Sequence, residues 1–252
     1  MSLLISLRSE TLKLKRTLLL YLCLSAAAFA ALMSFLEYLD LGPTPKKGLP
    51  WTVHFMKGRE PLGSALLPLY VILICTLLLQ IEYRDKTWKQ VLSSPQKLIN
   101  IYFAKFITLQ FLILGFLIVY NLLLVITAIG AELMHPDLYV GKADFYQILT
   151  KNVQTYILVL GMSAIQFWLS LRFKNFIASL AIGIALWFLA PLMAFLFKTG
   201  IVEQYPYAFT MLSEFSKYEA NVPTYLWYSI LTTLLFLSVA FAEFRIRKVK
   251  LS

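Results

Sequence analysis

The stretch IEYRDKTWKQVLSSPQKL, residues 81–98, lies between two long apolar runs and decides how the rest of the chain is read. A lipid-buried helix tolerates few charges, yet this segment carries Glu82, Arg84, Asp85, Lys86, Lys89 and Lys97. Glu82 stands one helical turn before Lys86, as Asp85 does before Lys89, the favourable order for ion pairs along a helix. Trp88, Val91 and Leu92 follow the i, i+3, i+4 spacing of one helical face. Pro95 cannot continue that helix and pushes Ser94 toward extended geometry. The spacing predicts a short helix outside the bilayer. Its apolar edge needs a lipid interface or another protein to pack against.

The flanking runs set the class. Hydrophobic residues make up 60% of the 252-residue chain and charged residues 14%, with a mean hydropathy of +0.73. Six runs approach the roughly 20 apolar residues that cross a bilayer: 18–35, 64–81, 106–131, 152–171, 176–197 and 225–242. The expected fold is an all-α integral membrane protein with six transmembrane helices, a single domain over residues 1–252. Asn152, Gln154, Ser163 and Gln166 in the fourth run should face other helices rather than lipid. Small residues in the first run (Ser25, Ala26, Ala27, Ala28, Ala30, Ala31) suit close helix contact, within one chain or between two. Cys23 and Cys75 both fall inside runs and imply no disulfide, and His54 and His135 show no metal-ligand spacing.

Charge sets the orientation. The N-terminus, residues 83–105, residues 172–175 and the C-terminus hold 15 Lys and Arg against four acids, Glu10, Asp85, Glu243 and, at the edge of the second stretch, Glu82. The other side holds 8 basic residues against 9 acidic ones. The positive-inside bias places both termini in the cytoplasm. It accounts for the net charge of +10 without a nucleic-acid partner, and RIRKVK (245–250) reads as an anchor beside anionic lipid.

Residues 1–16, MSLLISLRSETLKLKR, read as an amphipathic helix with Leu3, Leu4, Leu7, Thr11 and Leu14 on one face, lying in the membrane interface. Residues 37–63 read as an outer loop punctuated by Gly42-Pro43, Pro45, Gly48, Pro50, Gly58, Pro61 and Gly63. Its Trp51, Phe55 and Met56 suit an aromatic belt. Residues 132–151 and 198–223 form two more outer loops. The last contains EQYPYAFTMLSEF, which suits a short helix half embedded in the outer leaflet, as an interfacial belt or a substrate gate.

The chain carries no GxxxxGK[ST] loop for ATP. It has no acidic pair within a run to couple transport to protons, and no selectivity-filter motif. If it moves a cargo uphill, the energy comes from elsewhere.

The order of these features resembles the permease subunits of ABC-2 type ABC transporters, in particular the bacterial bacitracin- and lantibiotic-immunity branch. The resemblance is carried by the basic N-terminal helix (Ser9, Glu10, Lys13, Lys15, Arg16), Glu82-Tyr83-Arg84, Thr87-Trp88, Ser94-Pro95 and Lys105. It implies a permease of an ATP-driven exporter in the bacterial inner membrane, not itself an enzyme. Two permeases, identical or homologous, would assemble with two separate ATP-binding subunits that hold ATP and Mg. Residues 84–92 would form a coupling helix, with Arg84, Thr87, Trp88, Val91 and Leu92 at the ATPase and Arg172 and Lys174 as a smaller contact. Glu10, Lys13 and Arg16 would belong to an interface helix, and Tyr205, Tyr207 and Phe209 to an outer gate. The cargo would be an antimicrobial peptide, a lipid or a drug-like amphiphile. A non-transporting anchor or signalling partner of an ATPase would share every cytoplasmic feature.

Overall fold

The structure is a computed structural model that describes residues 3–14, 49–84, 97–134, 139–140 and 144–251, with residues 21, 25, 27–29, 32–33 and 36 between the first two blocks. Helix α1 (Leu3–Leu14) is followed by α2 (Trp51–Pro61), a π turn (Leu62–Leu66) and α3 (Leu67–Arg84) in one continuous rod. Then come α4 (Leu98–Met134), α5 (Phe145–Arg172) and α6 (Phe176–Pro191), the last prolonged by a second π turn (Leu192–Leu196). A segment of 3-10 turns (Gly200–Gln204 and Ser216–Asn221) around the one-turn helix α7 (Phe209–Leu212) leads to α8 (Val222–Leu251). The strand β1 (Leu49–Pro50) pairs in parallel with β2 (Tyr139–Val140).

The architecture is all-α, but the count of spans is corrected. Among the described residues five helices, not six, are long and apolar enough to cross a membrane: Trp51–Ile81, Leu98–Met134, Phe145–Arg172, Phe176–Leu196 and Ser216–Ile246. The expected 18–35 span has no counterpart among them, and most of its residues lie outside the described ones.

The boundaries also move, for physical reasons. Residues 51–63 are helical rather than a loop. Gly58 and Gly63 serve close approach there instead of breaking the helix. A Cβ on Gly58 would stand 2.7 Å from the Leu124 side chain, and one on Gly63 2.7 Å from Glu214 Cγ and from the Thr210 carbonyl oxygen. Phe55 is buried in the core instead of lying in an aromatic belt. Helix α4 runs for 37 residues, about 55 Å at the α-helical rise and well beyond the hydrocarbon thickness.

The core lies between α3, α4 and α5. The most apolar stretches of the α2–α3 rod and of α5 are 67% and 61% buried, against 17% for α6 and 22% for α8. Helix α8 nonetheless packs closely along α5, where the Gly161 N–H donates to Ser229 Oγ (2.9 Å). Asn175 caps α6 through its side chain, which accepts from Ile177 N–H (2.9 Å). The expected interhelical role of the polar residues of α5 is met by Asn152, Ser163 and Gln166. Asn152 exchanges amide hydrogen bonds with Asn121, Ser163 accepts from Gln110, and Gln166 donates to the Ser179 carbonyl.

Candidate functional site

Helix α1 packs on α4. Ser6, Glu10 and Leu14 point inward, whereas Leu4 is 74% exposed and Thr11 is exposed. The expected Leu3-Leu4-Leu7-Thr11-Leu14 face is split: Leu14 is buried and Leu3 and Leu7 are half-buried, while Leu4 and Thr11 are exposed. The inward polar face has a specific partner. Glu10 accepts from Lys105 Nζ through both carboxylate oxygens (3.1 Å each) and from Lys13 Nζ (2.7 Å). The Lys105 side chain is 1% exposed. Burial alone would raise the Glu10 carboxyl. The two ammonium groups outweigh it and hold the carboxyl below the usual carboxylate range.

At the same end, α3 and α5 are tied together where the Tyr83 hydroxyl donates to the Leu171 carbonyl (2.8 Å). Arg172, the last residue of α5, donates to Glu243 on α8 (3.1 Å) and lies over the Trp168 ring. Trp168 Nε1–H donates to the other Glu243 oxygen (2.9 Å). Lys174 follows in an exposed turn. Arg84 closes α3, while Thr87, Trp88, Val91, Leu92 and Arg16 lie outside the described residues.

The opposite end holds a second buried ion pair. Arg59 on α2 reaches Glu214, just beyond α7, at 2.9 Å, and both side chains are under a tenth exposed. One guanidinium nitrogen, Nη2, faces three acceptors: Glu214 Oε1, Thr155 Oγ1 (2.6 Å) and the Lys151 carbonyl (3.3 Å). Arg59 Nε and Nη1 are buried without an acceptor among the described residues. Burial pushes the Glu214 carboxyl above its ordinary range, with Arg59 and Lys151 pulling it back and Glu60 adding to the rise. Lys151 also pairs with Glu219 (2.9 Å), which is well exposed.

The 200–221 segment turns back into the bundle. Tyr207 and Phe209 are buried, Tyr207 donating to Gln166 Oε1 (3.1 Å) and Phe209 stacking on Tyr225. Tyr205 donates to the Leu186 carbonyl (2.7 Å). These aromatics are core pieces between α5, α6 and α8 rather than an interfacial belt. Lys198, at φ 49, makes the turn that starts the segment. Helices α4 and α5 border an apolar cleft of ≈ 420 Å³ lined by Phe55, Leu117, Val125, Ile148 and Tyr156. The Asn121 and Asn152 amides satisfy each other at its edge.

The structure thus brings Glu10, Lys13 and Lys105 together, and draws the end of α3 to Arg172. Arg59 and Glu214 escape the sequence reading because both sit in segments that look like loops. Glu214 carries a sequence signal, a carboxylate amid Phe209, Leu212 and Phe215; Arg59, flanked by Lys57 and Glu60, carries none.

Residues 6–190 match a family model described as ABC-2 family transporter protein. The match spans α1 to α6 and leaves the 200–221 segment and α8 outside it. No curated protein matches the chain.

Proposed function

The chain belongs to the ABC-2 family of transporter proteins, and from that premise we propose that it is the membrane half of an ATP-driven exporter, worked by separate ATP-binding subunits on its basic side. ABC-2 permeases are generally non-catalytic, pair with ATP-binding cassette subunits and form dimers. The assembly proposed here has two permeases and two ATP-binding subunits in the bacterial inner membrane, with both termini in the cytoplasm. The single observation that carries the docking site is the Tyr83–Leu171 hydrogen bond. It joins the ends of α3 and α5, so the end of α3 at Arg84 and the Arg172–Lys174 turn stand close together. One partner surface then meets both. Trp88, Val91 and Leu92 supply the apolar anchor, and Arg172 and Lys174 the rim.

The thinly covered helices α6 and α8 support pairing with a second permease. Ala27 is fully buried within its own chain and does not supply that contact. The apolar cleft between α4 and α5 supports an amphiphilic cargo. The Thr87-Trp88 and Ser94-Pro95 pairs favour the antimicrobial-peptide immunity branch.

The docking reading is tested by isolating the permease from native membranes. Trp88→Ala should reduce the co-isolated ATP-binding subunit by at least about tenfold, an interface anchor being worth about 2 kcal/mol or more, with permease yield unchanged. Undiminished co-isolation with Trp88→Ala contradicts it.

A further inference from the structure

We propose that Arg59 and Glu214 form a latch that holds the outer end of the permease shut, and that the π turn Leu62–Leu66 is the joint through which the α2–α3 rod acts on that latch. The inference rests on the exporter reading and adds the element on which the stroke acts.

The rod is continuous from Trp51 to Arg84. Arg59 and Arg84 are separated by about 38 Å of helix at the α-helical rise, enough to link the two faces of the membrane. A push on the segment after Arg84 therefore arrives at Arg59 along covalent helix.

The joint sits between them. It starts directly after Pro61, whose missing N–H already interrupts the α-ladder, and it closes with Leu67 N–H on the Leu62 carbonyl. Two side chains stabilise it. Trp187 Nε1–H donates to the Ser64 carbonyl (2.9 Å), and the Ser64 hydroxyl donates to the Glu60 carbonyl (2.6 Å). A π turn and an α turn differ by one residue of register, so a helix can exchange one for the other. Gly63 lies inside the turn with Glu214 Cγ and the Thr210 carbonyl packed where its Cβ would be. The joint cannot change register without pressing on the latch.

The latch is poised. Closing it buries a carboxylate and a guanidinium, but the contact uses one guanidinium nitrogen and leaves Nε and Nη1 unmet. Buried donors without acceptors make the closed state costly and opening correspondingly easy. Removing Arg59 leaves Glu214 buried with no guanidinium beside it, so the segment should swing out.

The test reads exposure of Met211, which is 4% exposed. Met211→Cys, with Cys23 and Cys75 replaced by alanine, is reacted with a membrane-impermeant maleimide on the purified full-length permease in nanodiscs. The parent should label slowly. Arg59→Gln should label about a hundredfold faster, as expected for an uncompensated buried charge, and Arg59→Glu with Glu214→Arg should return the rate toward the parent. Gly63→Ala should also label fast. Thermal melts run in parallel. Arg59→Gln labelling no faster than the parent overturns the latch, as does labelling that rises only with loss of the folded melt. Slow labelling of Gly63→Ala overturns the joint. A spin label at exposed Lys217 repeats the comparison without the Met211 substitution: greater mobility in Arg59→Gln supports the latch, and unchanged mobility overturns it. The exporter reading is tested separately on the complex from native membranes trapped with ATP and vanadate. If trapping leaves the parent slow while Arg59→Gln stays fast, the latch stands and the ATP-driven stroke does not. If trapping speeds the parent but Arg59→Gln is slow, the exporter stands and the latch does not.

Discussion

The two ends of the molecule are each fastened by a buried ion pair, and the pairs are built differently. At the basic end, Glu10 takes hydrogen bonds from two lysines through both oxygens. Two positive charges outweigh the cost of burial, and the carboxyl is held below its usual range. At the other end, Glu214 meets a single guanidinium nitrogen, two guanidinium nitrogens go unmet, and burial pushes the carboxyl upward. The first arrangement is a completed joint between α1 and α4. The second is an incomplete one, and incompleteness is what a moving part requires.

The largest expected effect comes from breaking the completed joint. Glu10→Ala removes the carboxylate to which Lys13 and the buried Lys105 both donate, which should cost about 3–5 kcal/mol. A melt of the purified permease and the mobility of a spin label at exposed Leu12 would both report it. Arg59→Gln should cost less, about 1–3 kcal/mol, because it also removes the unmet donors; denaturant melts of the two variants side by side give the ranking.

The pairs should also respond oppositely to acid. The Glu10 carboxyl is depressed in the folded protein, so its stabilisation is present above its unfolded pKa, about 4.3, and fades as pH falls through the folded value. The Leu12 label should therefore loosen in strong acid. The Glu214 carboxyl is raised among Arg59, Lys151 and Glu60. Its burial is most favourable below the unfolded pKa and is weakened as pH rises through the folded value. The Lys217 label should tighten over the acidic range before α1 lets go. Loosening of both labels together would erase the distinction. The smallest effect belongs to Lys151→Ala at the exposed Glu219 pair, within about 1 kcal/mol by melting.

The difference between the ends also explains what the sequence discloses. Apolar runs and the charge bias suffice for a helical membrane protein, because lipid constrains composition directly. Glu10 and Lys105 stand out within the basic motifs, although their pairing across α1 and α4 needs the structure. The outer end is less legible. Gly58, Pro61 and Gly63 read as punctuation, yet they sit in a helix whose glycines admit Leu124 and Glu214. Tyr207 and Phe209 read as belt or gate and turn out buried, since composition does not distinguish lipid from protein as the apolar neighbour. The 18–35 run is not among the five spans found, and most of its residues lie outside the described ones.

Spin-label distances across each joint in the assembled complex, with and without ATP trapping, test the central claim most directly. One pair at Lys57 and Lys217 spans the outer latch, and another at Leu12 and Phe103 spans the α1–α4 joint. The outer distance should lengthen on trapping while the inner distance holds. An inner distance that changes while the outer one stays fixed would contradict the account.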